Sequence, residues 1–137
     1  MSAVRYVLTN DPDEFAARTE EFLAAHVECN VLATVLLRVL DGGHRDPPPQ
    51  FAYGLTSDED VAFAALRTAP WPLIASPLGD GDAEELMEQW LAADPEVSAV
   101  TAVPAAARAL AHAWARHTGG TFRTRMHEAM HGARGGA

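Results

Sequence analysis

The stretch TAVPAAARALAHAWARHTGGTFRTRMHEAMH, from Thr101 to His131, decides the fold because it carries three local signals in succession. Pro104 suits the first position of a helix, where its missing N–H costs nothing. Gly119 can adopt the left-handed conformation that ends such a helix. Between them, apolar side chains recur at helical spacing: Val103, Ala107, Leu110 and Trp114. From Thr121 to His131 the alternation has a period of two, which predicts a strand.

The rest of the chain alternates strands and helices. Asp11 with Glu14 predicts one capped helix start, and Asp82 with Glu85 predicts another. The short apolar run Leu73 to Ala75 predicts a buried strand. Further segments complete the pattern: strands at Val4–Thr9, Phe51–Leu55, Val61–Ala65 and Val97–Val103, and a helix at Val31–Val39. The order β-α-α-β-β-β-α-β-α-β predicts an α/β (α+β) fold with a mixed, mostly antiparallel sheet flanked by helices.

Composition limits the function. An apolar share of 48% fits a globular domain, and no apolar run reaches membrane-spanning length. Every basic residue is Arg, so a lysine Schiff-base mechanism is excluded. The net charge of -9 disfavours binding to nucleic acid. The single Cys29 fits a reducing compartment. We therefore expect a cytoplasmic protein with no membrane or nucleic-acid partner.

The passage AHAWARHTGGTFRTRMHEAMH, which ends at His131, resembles the end of the N-terminal half of a two-part protein of the GNAT acetyltransferase superfamily. The resemblance covers nearly the whole chain. It implies a single GNAT-like (acyl-CoA N-acyltransferase) domain over 1–131, with 132–137 as a flexible tail. In two-part relatives a second GNAT unit follows, so the expected partner is such a unit or a second copy of this chain, as a homodimer.

The resemblance also places an acetyl-CoA site. In the family, the cofactor binds along a splayed strand and the glycine-containing loop after it. The matching residues of this chain are Leu73, Ile74, Ala75, Ser76, Gly79 and Gly81. Glycines let a backbone approach a diphosphate, and helix N-terminal N–H groups attract its charge. Here Ser76 replaces the family's Arg or Gln, and Pro77 removes a backbone donor.

Charge and chemistry both weaken this site. Acidic residues cluster where the diphosphate should lie: Asp80, Asp82, Glu84 and Glu85. One reading is that Asp82 and Glu85 cap their own helix and occupy the donors that a phosphate needs. Active relatives often use a tyrosine near the end of the fourth helix as the proton donor. The matching residue is Ala115, so no catalytic residue is assigned and no cofactor is expected unless the protein is active.

His127-Glu128-Ala129-Met130-His131 matches the zinc-protease pattern His-Glu-x-x-His. On a helix the two histidines would share a face and bind zinc, and the glutamate would activate a water. The predicted strand instead sends Glu128 to the face opposite the histidines, and no third ligand follows, so no metal site is assigned.

Three functions therefore stand open. The first is a GNAT-like structural or substrate-side module with a degenerate acetyl-CoA loop and little or no activity alone. The second is an active N-acetyltransferase that moves acetyl from acetyl-CoA to an amine. The third is a zinc hydrolase through His127, Glu128 and His131.

Overall fold

The computed structural model of the chain describes residues 4–26, 29–42, 48–69, 71–126 and 129–133. The strands of the described residues are β1 (Arg5–Thr9), β2 (Gln50–Leu55), β3 (Val61–Arg67), β4 (Leu73–Ala75), β5 (Ala99–Thr101), β6 (Thr121–Met126) and β7 (Ala129–Ala133). The helices are α1 (Pro12–Ala25), α2 (Asn30–Leu40), α3 (Asp80–Ala93) and α4 (Pro104–Thr118).

The strands form one mixed sheet in the order β1-β2-β3-β4-β5-β7-β6. All neighbouring strands are antiparallel except β4 and β5, which run parallel with Leu73 opposite Val100 and Ile74 opposite Thr101. A parallel pair needs a crossover connection, and α3 supplies it. The predicted α/β class with a mostly antiparallel sheet is confirmed.

Helices cover both faces of the sheet because successive strand residues point to opposite sides. One core contains α3 and α4, with Leu86, Trp90 and Leu110 fully buried against strand residues such as Phe63. The other core contains α1 and α2. Its centre is Phe15, whose ring stacks on Phe51 at 4.8 Å between centroids. The sheet is therefore the middle layer of three.

The predicted cap of α1 and the predicted stop of α4 both form, except for one half of the α1 capping box. Asp11 caps α1 by accepting hydrogen bonds from the N–H groups of Asp13 and Glu14. The reciprocal half of the capping box does not form, since the Glu14 carboxylate instead accepts from the hydroxyls of Thr9 and Tyr53. Gly119 ends α4 with a φ of 74°, as predicted.

The segment Thr121 to His131 is not one strand, and that prediction is wrong. It turns back on itself, so that β6 and β7 pair antiparallel with Thr121 opposite Ala133. β7 lies between β5 and β6, and it includes Gly132 and Ala133, the first two residues of the predicted flexible tail. Period-two alternation continues through a hairpin, so the sequence pattern gave no sign of the turn.

Candidate functional site

The site predicted for a cofactor lies at the end of the sheet where β4 and β5 finish, which we call the β4–β5 edge. These two strands run parallel, so their carboxyl ends meet at the same edge. The chain leaves them to begin α3 at Asp80 and α4 at Pro104. In open α/β sheets, ligands bind in the crevice beyond the carboxyl ends of parallel strands. This rule makes the β4–β5 edge the place where this fold is expected to bind a ligand.

The first turn of α3 presents backbone donors to this edge. Gly79 is the N-cap residue, in extended conformation, and no side chain caps the helix. The first hydrogen bond into the helix runs from the N–H of Ala83 to the carbonyl of Gly79, at 2.9 Å. The N–H groups of Asp80, Gly81 and Asp82 come before it and have no helical partner. The helix start predicted at Asp82 is therefore wrong, as is the idea that Asp82 and Glu85 occupy these donors by capping.

Gly79 and Gly81 leave the backbone of this turn open. A Cβ atom built on either glycine would meet nothing within 4 Å. Both residues are exposed, as is Asp80. The structure thus brings together the two predicted glycines and a free helix start, which is the backbone geometry of an anion site.

Two carboxylates oppose that geometry. Asp80 lies in the first turn and is exposed, and Asp82 is half-buried. The Tyr6 hydroxyl, on β1, donates to Oδ1 of Asp82 at 3.2 Å and lies 3.4 Å from the Asp82 carbonyl. Burial, and then the charge of Asp82, raise the pKa of Tyr6 far above its usual range, so the phenol stays protonated. Tyr6 thereby fixes the Asp82 carboxylate at the start of α3.

Glu84, one turn into α3, has its charge engaged elsewhere. Its carboxylate accepts a hydrogen bond from Arg116 and lies 3.2 Å from Nε2 of His117, both near the end of α4. The hydrogen bond from Arg116 is the main reason why the pKa of Glu84 is lowered. Among the described residues, Asp80 and Asp82 have no such ion pair. The negative charge that is not held in an ion pair therefore lies at the free end of α3, although the charge of Arg116 also acts on Asp80 from beyond ion-pair distance.

Ser76, predicted to bind the cofactor, belongs to the sheet instead. It is completely buried, and its N–H donates to the Ala64 carbonyl at 2.9 Å. Its hydroxyl accepts from the Ala64 N–H at 3.0 Å and donates to the Pro77 carbonyl at 3.2 Å. These bonds extend the pairing of β3 with β4 by one residue. The Ser76 side chain, predicted to take the place of a cofactor-binding Arg or Gln, is therefore engaged in the sheet and not available to a ligand at this edge.

The predicted strand residues Leu73, Ile74 and Ala75 form β4 and are buried. Leu73 and Ala75 face the core under α3 and α4, whereas Ile74 faces the core under α1 and α2. Because their side chains point into the two cores, they can contact a ligand at the β4–β5 edge only through backbone atoms and the outermost atoms of their side chains.

The position near the end of α4 at which the resemblance predicts a proton donor does not hold one. Ala115 stands where the family's tyrosine is expected. The neighbouring Trp114 is buried, and its indole N–H donates to the Val97 carbonyl at 2.8 Å. Cys29 lies buried in the opposite core, under α1 and α2. None of these three side chains can protonate a leaving group at the β4–β5 edge.

The His-Glu-x-x-His match falls partly outside the described residues, which omit His127 and Glu128. Ala129 to His131 belong to strand β7, with His131 opposite Ala99 of β5. The zinc-protease motif requires a helix, but its second half, Ala129 to His131, lies in a strand. Within the described ranges, no three His, Cys, Asp or Glu side chains group closely enough to hold a metal ion.

The link from Tyr6 to Asp82 joins residues 76 positions apart, and the contact of Glu84 with α4 spans 32 positions. No local sequence signal could have found either contact.

Among the described residues, no helix has both the length and the apolar character needed to cross a membrane. Compared with known proteins, the chain matches no family model, no curated protein and no solved structure.

Proposed function

We propose that this chain is a GNAT-like domain that serves as a structural or substrate-side module and has little or no acetyltransferase activity of its own. Two features support the resemblance: the order of elements, and a single parallel strand pair followed by a glycine-containing loop and a helix. The observation that carries the functional part is the Asp82 carboxylate, fixed by Tyr6 beside Asp80 at the start of α3.

The electrostatic balance explains why acetyl-CoA fits this edge poorly. Two like charges ~4 Å apart at an effective dielectric of ~20 repel by roughly 4 kcal/mol, and solvent ions reduce that repulsion. A helix N-terminus attracts an anion by only about 0.3–1 kcal/mol. A diphosphate near Asp80 and Asp82 would meet more repulsion than attraction. Among the described residues no cationic side chain forms an ion pair with either carboxylate, and Arg116, whose charge acts on Asp80, is itself paired with Glu84.

The direct test is calorimetric titration with coenzyme A of the wild-type protein and of the double variant Asp80→Asn, Asp82→Asn. Asparagine keeps an oxygen that can accept the Tyr6 hydrogen bond, so the variant removes charge with little change of shape. We expect no measurable binding by the wild type and a clear gain in the variant. The matched control is Glu88→Gln with Glu96→Gln, which removes two exposed charges away from the first turn.

Two results would contradict the proposal. Micromolar binding of coenzyme A to the wild-type protein would show that the acids do not exclude the diphosphate. An equal gain in the control variant would show that overall charge, rather than the first turn of α3, governs binding.

The second candidate is an active N-acetyltransferase, favoured by the uncapped start of α3 and the open space at Gly79 and Gly81. The net charge of -9 would attract a cationic amine as acceptor. Release of free coenzyme A thiol from acetyl-CoA in the presence of a panel of amines measures this activity. Turnover that is lost when bulky Gly79→Leu and Gly81→Leu changes fill the crevice would establish the enzyme.

The proposed partner is a second GNAT domain or a second copy of this chain. In the order of strands, β6 is an outer strand with only β7 beside it among the described residues. An outer strand carries unpaired backbone groups on one side and can pair with another chain. Sedimentation velocity reports the assembly. If a dimer forms through this strand, amide exchange of Thr121 to Met126 slows as the protein concentration rises.

A further inference from the structure

A cavity of about 310 Å³ lies on the opposite face of the sheet from α3, between α2 and the loop that precedes β4. Its lining combines apolar side chains with a few polar ones: Val31, Val35, Arg38, Thr68, Trp71, Pro72, Ile74 and Thr101. This size is at the lower end of the range of small-molecule sites, which are mostly apolar with a few converging polar groups. It fits a ligand with a single ring.

Exposed apolar surface concentrates at this cavity. Three large hydrophobic side chains of the described residues are exposed, and two of them, Val31 at 54% and Trp71 at 57%, line it. The other two tryptophans, Trp90 and Trp114, are buried in the core. A contiguous exposed apolar patch usually marks a binding surface.

The backbone that presents Trp71 is held in place on both sides. The Trp71 N–H donates to the Thr68 carbonyl at 2.8 Å, and its own carbonyl accepts from Nε of Arg67 at 3.0 Å. Arg67 is itself buried and bonded to both carboxylate oxygens of Asp94 at 2.8 and 2.7 Å. The backbone that carries the exposed indole is therefore held in place before any ligand arrives, which lowers the entropy cost of binding.

Arg38 gives the cavity its charge. It lies in the last turn of α2 and is exposed. Its guanidinium forms no hydrogen bond and no ion pair among the described residues. A guanidinium without a protein partner suits a carboxylate, which it can bind through two parallel hydrogen bonds. The same charge would repel an ammonium group.

We propose that this cavity binds a small aromatic carboxylate, with the ring against Trp71, Val31 and Val35 and the carboxylate on Arg38. This inference does not depend on the proposed function, because the cavity lies on the face of the sheet away from α3, although Ile74 and Thr101 in its lining also belong to the ends of β4 and β5. It also calls for a different ligand chemistry from the amine that a GNAT acceptor site would take.

The probe is phenylacetate, added during nitrogen-15 NMR of the intact chain, with phenylacetamide as the neutral ligand of the same shape. Phenylacetate should shift the Trp71 indole N–H signal together with the amides of Val31 and Val35, and leave Trp90 and Trp114 unchanged. It should bind at least about tenfold more tightly than phenylacetamide, because hydrogen bonds between charged groups are about twice as strong as neutral ones.

Two variants separate the local charge from the total charge. Arg38→Gln should reduce the affinity for phenylacetate to that of phenylacetamide, without changing the affinity for phenylacetamide. Arg108→Gln removes the same charge from an exposed position on α4 and should change neither affinity. Trp71→Ala should weaken both ligands, and its exposure means that the fold does not depend on it.

The proposal is overturned by any of three results: signal shifts that map outside the cavity, equal affinities for the acid and the amide, or no shift at millimolar phenylacetate. An equal loss in Arg38→Gln and Arg108→Gln would also overturn it, since binding would then follow the net charge of the protein.

Discussion

The hydrogen-bond network around Asp94 gives the sharpest stability prediction. Asp94 follows the last residue of α3 and accepts two hydrogen bonds from Arg67 and a third, at 3.1 Å, from the indole of Trp90. The exposed side-chain fraction is only 8% for Arg67 and 19% for Asp94. The network joins the end of α3 to the end of β3, two elements that meet only in the folded chain.

Replacing Asp94 with Ala leaves a buried guanidinium and a buried indole N–H without their acceptors. Removing one partner of a buried ion pair costs about 3–5 kcal/mol, and because Asp94 is partly exposed we expect a cost of about 3 kcal/mol. For a domain of this length, unfolding entropy of about 2.1 cal/mol/K per residue converts that cost to a fall in Tm of roughly 10 °C. Asp94→Asn keeps an acceptor and should cost about 1–2 kcal/mol.

Urea unfolding followed by circular dichroism measures these differences. Arg67→Met combined with Asp94→Ala should cost less than the sum of the single changes, because the double variant leaves no unpaired buried charge. The matched control is Arg5→Met, which breaks the exposed ion pair with Glu59 and should cost less than about 1 kcal/mol. If Asp94→Ala cost no more than this control, the argument for a buried, energetically coupled network would be refuted.

Three further predictions concern other parts of the fold. Gly54→Ala should lower the free energy of unfolding in urea by about 1–3 kcal/mol, because the new Cβ would lie 2.3 Å from the ring of buried Phe63. Adding Phe63→Leu should recover part of the loss. An unchanged urea midpoint for Gly54→Ala would contradict this. Glu59→Gly should raise stability by about 0.5–1 kcal/mol, because Glu59 has a φ of 67° that costs a non-glycine residue energy, whereas Glu59→Val should lower it. The pKa values of both tyrosines, Tyr6 and Tyr53, are raised by burial. Their contribution to the free energy of unfolding should therefore be complete below pH ~10 and be lost as the pH rises above it. Phenolate absorbance that is half complete at pH ~10 in the folded protein would argue against this.

Much of the architecture was predictable from short-range patterns. The Asp11 cap, the Gly119 stop and the hairpin of β2 and β3 all lie where the sequence predicted them. These features depend on residues within a few positions of one another. The N-cap of α3 was misplaced by three residues, at Asp82 and not at Gly79, because Asp82 with Glu85 imitated a capping box and a glycine cap carries no side-chain signal.

The candidate site was predicted in part. Gly79 and Gly81 do lie at the free start of a helix, beside the ends of two parallel strands. The burial of Ser76 was not foreseen, since its two hydrogen bonds to Ala64 depend on the register of β4 against β3. The exposure of Trp71 was not foreseen either, because a single apolar residue in a loop does not indicate whether its side chain will be buried or exposed.

By itself, the sequence determined where helices and strands form, because side-chain periodicity and capping are local properties of the chain. Only the tertiary structure decided that β7 enters the sheet between β5 and β6, that Tyr6 fixes Asp82, and that Arg67 joins Asp94 to the loop of Trp71. Each of these contacts depends on strand register and joins residues far apart in the chain. The entropy cost of closing such long loops is offset only by the packing of the whole core, so no single segment determines the contact.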